Sequence, residues 1–408
     1  MKDIYVLGGY QTDFSRNYTR EGIDLAGLIK EAAEGGLAAC KLEGSDIDVA
    51  HIGNFVGELF ARQAHLGGLL AEVVPGLRNK PINRHEAACA SGSVATMAAI
   101  ADLAAGFHET ALVLGVELMR NVPGGQAGEF LAPAAWTGHE AQTAKFVWPS
   151  QFSDLIDEYD RRYGIDHKHL HAISENNFAN ARRNQKSQTR GWEFPEGSFS
   201  SDDELNPIVE GRIRRTDCSQ VTDGAASIVI ATQAAAQRYA ERTGQSLDQI
   251  PRLKGWSYRV ARMPLAEKVA DSKDQSLIFP HVAQVTEEAR KMAGINDVFD
   301  LSGVETHDCF SISEYMAIDH LGITAPGESW KAVEDGTIKL GGRLPINASG
   351  GLIGVGHPVG ATGIRMILDG AKQVTGQAGD YQIEGAKNIQ TLNIGGSTTT
   401  TASFVVGL

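Results

Sequence analysis

The chain of 408 residues has only four cysteines, Cys40, Cys89, Cys218 and Cys309. They lie far apart and form no CxxC pair, which excludes a zinc ribbon and a disulfide framework. Positive charge is in deficit: 37 Lys and Arg stand against 50 Asp and Glu, a formal net charge of −13. Broad affinity for nucleic acid or an anionic membrane is thereby excluded, and an anionic ligand needs a local basic patch. No apolar run reads as long enough to span a bilayer. The opening MKDIYVLGGYQTDF turns polar within ten residues, unlike a signal peptide. These features lead to the expectation of a cytoplasmic protein with neither nucleic-acid nor membrane partners.

The chain is rich in glycine, with 46 residues gathered near the candidate chemistry rather than in low-complexity tracts. The central stretch is HEAACASGSVATMAAIADLAAG, from His85 to Gly106. An extended piece, Lys80 to Asn83, leads into small residues around Cys89 and then into a helix of Ala, Met, Ile and Leu. A thiol at such an elbow meets backbone N–H groups and the positive end of a helix dipole. Both favour the thiolate, which is the nucleophilic form. A packed structural thiol is the competing reading.

In chain order the pattern predicts an α/β fold, an open mixed or parallel sheet with helices on both faces. Asp3–Gly8, Val49–Phe55, Ala111–Leu118 and Asp223–Thr232 read as strands. Asp24–Leu42, capped by Asp24, and Phe60–Val74 read as helices. Residues 120–221 are polar and predict an insertion carrying helices at Ser153–Tyr163 and His167–Gln185. Strand-like Leu253–Tyr258 and an amphipathic helix at His281–Gly294 follow. The expected division is 1–260, including the insertion, and 261–408. Pro81-Ile82-Asn83 before Cys89 is echoed by Pro345-Ile346-Asn347 before a second elbow at His357. The echo suggests a duplicated fold whose elbows face one cavity.

His357 lies in GVGHPVGATG. Glycines on both sides let the backbone bend and a ligand approach, and no packing role explains five of them. The imidazole can take the Cys89 proton and hold the thiolate as an ion pair. In HDCF, Cys309 can move a second proton and His307 can donate to a carbonyl oxygen. Packing, with a helix cap from Asp308, is the alternative there. The turn Asn393–Ser397, at Gly395, can form an oxyanion hole with the Cys89 N–H, or can be a plain hairpin. Arg182, Arg183, Lys186 and Arg190 form the most basic patch, suited to nucleotide phosphates or to a solvated helix end. Trp136, Phe146, Trp148 and Trp192 are candidates for an acyl or pantetheine tunnel, or for structural packing.

EAACASGS, HDCF and GHPVGATG, in this order, resemble the thiolase superfamily, and HDCF, NFANARRNQKSQ and DCSQVTDGAASIVI resemble its sterol-carrier-protein-2 type. The resemblance spans the chain. It implies a thiolase-like five-layer αβαβα sandwich of two similar halves with an inserted loop domain. It implies an acyltransferase that condenses or thiolyses (3-oxo)acyl-CoA, with Cys89 as acyl carrier, His357 as its base and Cys309 as second acid/base. His307, with the Cys89 and Gly395 N–H groups, becomes an oxyanion donor. Arg182, Arg183, Lys186 and Gly356 become candidates for coenzyme A binding. No metal and no cofactor beyond the coenzyme A thioester substrate are implied. A homodimer or dimer of dimers is the expected assembly, with a small OB-fold partner subunit as a further candidate partner. The final turn departs from common thiolases: Asn393-Ile394-Gly395 stands where they carry Cys-x-Gly, leaving Cys309 as the second thiol. A ketoacyl synthase, an aldolase subunit, and a non-catalytic acyl-CoA or lipid-binding protein are the alternatives.

Overall fold

The apolar runs do form strands, and their pairing repeats. The computed structural model describes residues 3–408. The first half contains β1 (Ile4–Gln11), α1 (Leu25–Ala39), β2 (Val49–Gly53), α2 (Gly57–Phe60), α3 (Leu66–Val73), β3 (Ile82–His85), α4 (Ser91–Ala105) and β4 (Thr110–Glu117). An excursion carries α5 (Gly124–Leu131), α6 (Val147–Tyr163), α7 (His167–Ala181) and a hairpin of β5 (Ile208–Glu210) with β6 (Ile213–Arg214). Then follow β7 (Gly224–Thr232), α8 (Gln233–Thr243), β8 (Arg252–Val260), α9 (Leu265–Asp271), α10 (Pro280–Met292) and β9 (Gly303–Thr306). The chain closes with α11 (Ser311–His320), α12 (Ser329–Glu334), α13 (Gly351–Val355), α14 (Val359–Val374), β10 (Asn388–Gly395) and β11 (Thr400–Gly407).

The main sheet has the order β3-β2-β4-β7-β1-β8-β11-β10-β9. In its first part β2 runs parallel to β3 and β4, and β7 runs antiparallel to β4 and β1. In its second part β10 is parallel to β9, and β11 is antiparallel to β10 and β8. Ile346 makes an isolated parallel bridge to Val304 of β9, as β3 does with β2. The two Pro-Ile-Asn segments therefore occupy matching places. Among the described residues the two parts are joined as a sheet by two residue pairs of β1 and β8. β8 falls within residues 1–260, yet eight of its residues pair with β11.

Three apolar cores separate the layers. Leu28, Ile29, Leu70 and Tyr239 on α1, α3 and α8 cover one face of the first part with Leu112 and Val229. Ala99, Ile100 and Leu103 of α4 meet Ile364 and Ile367 of α14 between the two sheet parts. Burying each such large aliphatic side chain contributes about 1.5–3 kcal/mol. The third core joins α10 and α11 to the second part, and it includes Phe152, Ile156, Leu170 and Ile173. Helices α6 and α7 of the excursion thus pack on the second half, whereas α5 meets Val56 and Phe60 of the first. The result is the five-layer αβαβα thiolase-like fold.

Three expectations change. Phe60–Val74 is two helices, because Arg62 and His65 take positive φ values of 53° and 54°. The helices α5 and α9, both short, were not legible in the sequence. Ala88–Ala105 does have the length and hydropathy of a membrane span; 56% of it is buried as the helix of the middle layer. Asp24 caps α1 as expected, accepting from Gly27 N–H at 2.9 Å.

Candidate active site

Cys89 sits in a single 3₁₀ turn, Ala88–Ala90, between β3 and α4. Ala88 adopts φ +51°, a conformation a residue with a Cβ rarely takes. Its neighbours hold it there. Ala87 N–H donates to Ser91 Oγ at 2.9 Å, Ser91 Oγ donates to Ala88 O at 2.6 Å, and Ala88 N–H donates to Glu86 Oε1 at 2.6 Å. The strained elbow presents the sulfur to the N–H groups of Cys89 itself and of Gly396. Gly396 is the neighbour of the expected Gly395. Gly395 ends β10 against the elbow, where an added Cβ would lie 2.2 Å from Ala87 O.

His357 stands at the second elbow, between α13 and α14. Its Nδ1 lies 2.7 Å from Thr362 Oγ1, and that hydroxyl donates to Pro358 O at 3.2 Å. With the hydroxyl proton spent, Thr362 accepts from Nδ1–H, which leaves Nε2 as a bare lone pair. Among the described residues that buried Nε2 has no partner. The glycines of this motif do have packing roles, contrary to expectation. Added Cβ atoms would lie 2.5 Å from Ala181 Cβ at Gly354, 2.6 Å from Gly53 O at Gly360 and 2.3 Å from Ser93 Oγ at Gly363. They let α13 and α14 approach α7, the first sheet part and α4.

His307 carries the opposite tautomer. Asn393 Oδ1 accepts from Ser93 Oγ at 2.7 Å, and Asn393 Nδ2 donates to Cys89 O at 3.2 Å. This orientation aims the same Nδ2 at His307 Nδ1, 3.1 Å away. An amide N–H can only donate, so Nδ1 accepts and the proton resides on Nε2. One imidazole is a base and the other a donor. Their rings meet edge to face with centroids 5.1 Å apart.

One ligating atom each from Cys89, His307 and His357 lie within 4.8 Å of one another. So compact a set of donors also suits a soft metal ion. Asn393 opposes it: His307 could ligate only by exchanging its proton or giving up this contact. Cys309 is buried on the same cavity, its sulfur 3.7 Å from Ser313 Oγ. Asp308 does not cap α11, the helix that follows it. It accepts from Leu352 and Ile353 N–H at 2.5 and 3.1 Å, capping α13 and tying HDCF to the His357 elbow.

Burial dominates the charges. It pushes the Cys89 thiol up to about 12 despite the two N–H groups at the sulfur, and raises Cys309 well above its ordinary value. Burial, with His307 and the Arg365 guanidinium nearby, holds His357 far below its ordinary value, and His307 falls to about 3. Arg365 is fully buried against Asp369 and Glu305, at 2.6 and 3.3 Å. Burial thus disfavours the charged form of both groups and works against the expected ion pair, outweighing the helix dipole.

The cavity over these groups has a volume of about 320 Å³. Cys89, Cys309, His357 and Gly396 form its floor, with Phe146, Trp148 and Phe152 among its walls. Trp136 lines a separate cleft, and Trp192 packs with Phe178 and Phe194. Arg182, Arg183 and Lys186 do not line the cavity. Arg182 donates to Trp192 O, Arg183 to Asn180 Oδ1, and Lys186 lies over the Tyr10 ring. Arg190 is held by Asp13 at 2.7 Å. Gly356 packs beside Thr222 and Gln188. The cation on the cavity wall is Arg215, which sequence reasoning missed. Thr362 and Asn393 were missed in their roles, although both lie inside segments singled out for other residues.

Two family models match: "Thiolase, N-terminal domain" over residues 4–195 and "Thiolase C-terminal domain-like" over residues 265–408. The chain belongs to the thiolase family. An acetyl-CoA acetyltransferase of Methanothermobacter thermautotrophicus is 33% identical, covering 99% of each chain. Sterol carrier protein 2 of Homo sapiens is 26% identical over 97% of this chain and 70% of its own. Among solved structures, an Ltp2-ChsH2(DUF35) aldolase aligns at TM-score 0.77 and 19% identity, covering 100% of this chain and 98% of that one. Human mitochondrial 3-ketoacyl-CoA thiolase in complex with CoA aligns at TM-score 0.69 and 16% identity, with the same coverage. This thiolase is of the sterol-carrier-protein-2 type and is a thiolase-type acyltransferase.

Proposed function

We propose that this thiolase catalyses the reversible condensation of acyl-CoA thioesters to 3-oxoacyl-CoA through an acyl-Cys89 intermediate. One observation carries the reading: the Cys89 thiol and the His357 imidazole, its Nε2 bare, share one cavity floor with ligating atoms within 4.8 Å. His357 Nε2 takes the Cys89 proton as the sulfur attacks the thioester carbonyl. The N–H groups of Cys89 and the Gly395–Gly396 turn hold the alkoxide. As the C–S bond of the thioester breaks, the departing coenzyme A sulfur takes the Cys309 proton. The Cys309 thiolate then accepts the α-proton of a second acyl-CoA, whose enolate oxygen accepts from His307 Nε2–H. The α-carbon attacks the acyl carbon, and Cys89 leaves with the proton returned by His357. Every group ends as it began, which agrees with a site where burial disfavours charge. Thiolysis is the same path reversed.

Coenzyme A is proposed to enter past Arg215, whose guanidinium lines the cavity and suits its phosphates, whereas the Arg182–Lys186 patch does not line it. A homodimer or dimer of dimers is supported by β3, a short edge strand whose open side needs covering. A small OB-fold partner is supported by the likeness to Ltp2, solved with ChsH2(DUF35). Intact protein mass spectrometry after mixing with acetyl-CoA tests the central claim. An acetyl adduct mapped to Cys89 is expected; coenzyme A turnover without an adduct on that residue refutes it. A ketoacyl synthase would instead consume a malonyl-carrier-protein thioester.

A further inference from the structure

Lys268 on α9 carries no role so far, yet its surroundings are unusual. It is 5% exposed, and its ammonium donates to three neutral oxygens: Met263 O at 3.0 Å, Ser397 Oγ at 3.0 Å and Thr399 Oγ1 at 2.9 Å. A buried ammonium ordinarily has a carboxylate for a partner. Two of these acceptors belong to the turn that follows β10. That turn bends through Gly396 at φ +64° and Thr398 at φ +66°, the second a strained geometry for a β-branched residue. Strain of this kind persists only where neighbours impose it. Lys268 grips both ends of the segment Ser397–Thr399. His281 on α10 lies 2.9 Å from Thr398 O, and Ala261 N–H donates to Thr399 O at 2.7 Å. The Gly396 N–H, next to Ser397, meets the Cys89 sulfur.

We infer that Lys268 is a positioning residue that holds the Gly396–Thr399 turn against the Cys89 elbow and places a positive charge behind the oxyanion donors. The inference rests on Cys89 as the acyl carrier. Preorganised donors stabilise the charge that develops on the carbonyl oxygen, and a nearby cation in a dry site strengthens them. The titratable groups facing Lys268 are Glu140, from the excursion, and His281. Burial lowers the ammonium to about 7, against the pull of Glu140. His281, held at about 4 by burial, stays neutral and competes for no proton at neutral pH. Raising the pH through neutrality therefore removes the charge.

The test compares Lys268→Met and Lys268→Arg with the parent in acetoacetyl-CoA thiolysis. Lys268→Met is expected to lower kcat by roughly 10–100-fold with KM within about threefold, and Lys268→Arg to recover part of the loss. The ratio of parent to Lys268→Met kcat shrinks between about pH 6 and 9, since only the parent has a charge to lose. A Lys268→Met kcat within twofold of the parent, with a ratio independent of pH, overturns the inference. Should that variant not fold, the double change Ser397→Ala with Thr399→Val removes two acceptors and leaves the lysine. It is expected to lower kcat about tenfold at unchanged KM, and an unchanged kcat overturns the inference equally. The acetyl adduct on parent Cys89 separates the two claims: its absence defeats the acyl-carrier reading, whereas its presence beside unaltered variants defeats only the role of Lys268.

Discussion

The Cys89 and His357 elbows are two copies of one design that now do opposite things. Each follows a Pro-Ile-Asn segment, beside β2 in one case and β9 in the other, and each feeds a helix of the middle layer. The Cys89 elbow is short, a single 3₁₀ turn forced through Ala88, and it exposes a sulfur that backbone donors surround. The His357 elbow is longer. It inserts α13, capped by Asp308, and turns the side chain inward onto Thr362. The first therefore gathers hydrogen-bond donors, and the second leaves one acceptor bare. The paired scaffold supplies proximity, while the unequal residues between strand and helix decide which elbow gathers donors and which presents a bare lone pair.

The comparison is broken most completely at the first elbow. Cys89→Ala is expected to lower kcat by about 10⁴-fold or more while leaving the thermal midpoint nearly unchanged, measured by coenzyme A release and a melting curve. Cys309→Ala strikes between the elbows. It should slow acyl-Cys89 formation, in which Cys309 protonates the departing coenzyme A sulfur, less than condensation, which should fall by roughly 10²–10⁴-fold, read by separating the acylation burst from turnover. Equal loss in both steps would remove its separate role.

The two tautomer locks sharpen the contrast. Thr362→Val frees His357 to place its proton on Nε2 and should slow acylation by about 10–100-fold. Asn393→Leu frees His307 and should slow condensation by a similar factor with acylation little changed. Single-turnover acylation and steady-state condensation, run on both variants, check the crossed pattern. The smallest effect concerns the resting protonation state. Because burial raises the Cys89 thiol to about 12, its thiolate fraction keeps growing with pH. Iodoacetamide labelling of Cys89 should climb about tenfold per pH unit from roughly 7 to 9.5; a plateau near neutrality would restore the ion pair.

Much of this was legible because it is local. Alternation and apolar runs marked the strands, small residues marked the Cys89 elbow, and Asp24 announced its own helix cap. The thiol, the two imidazoles and Cys309 stood out because those residue types carry proton and acyl chemistry wherever they occur. Short helices such as α5 and α9 lacked enough turns to show a period. The basic run Arg182–Arg190 drew attention by charge alone, yet Arg190 is taken up by Asp13, and Arg215, in a shorter segment with Arg212 and Arg214, reaches the cavity wall.

By itself the sequence determined the α/β pattern, the paired elbows and which side chains are candidates for the chemistry, since each depends on residues close in the chain. Tertiary structure alone decided which nitrogen of each histidine bears a proton, why the glycines of GHPVGATG are needed, and that burial disfavours the thiolate. Apart from the Thr362 contact of His357, five residues along, those properties depend on groups far apart in the chain: Asn393 reaches back to Cys89, and the cost of burying charge follows from the completed cavity.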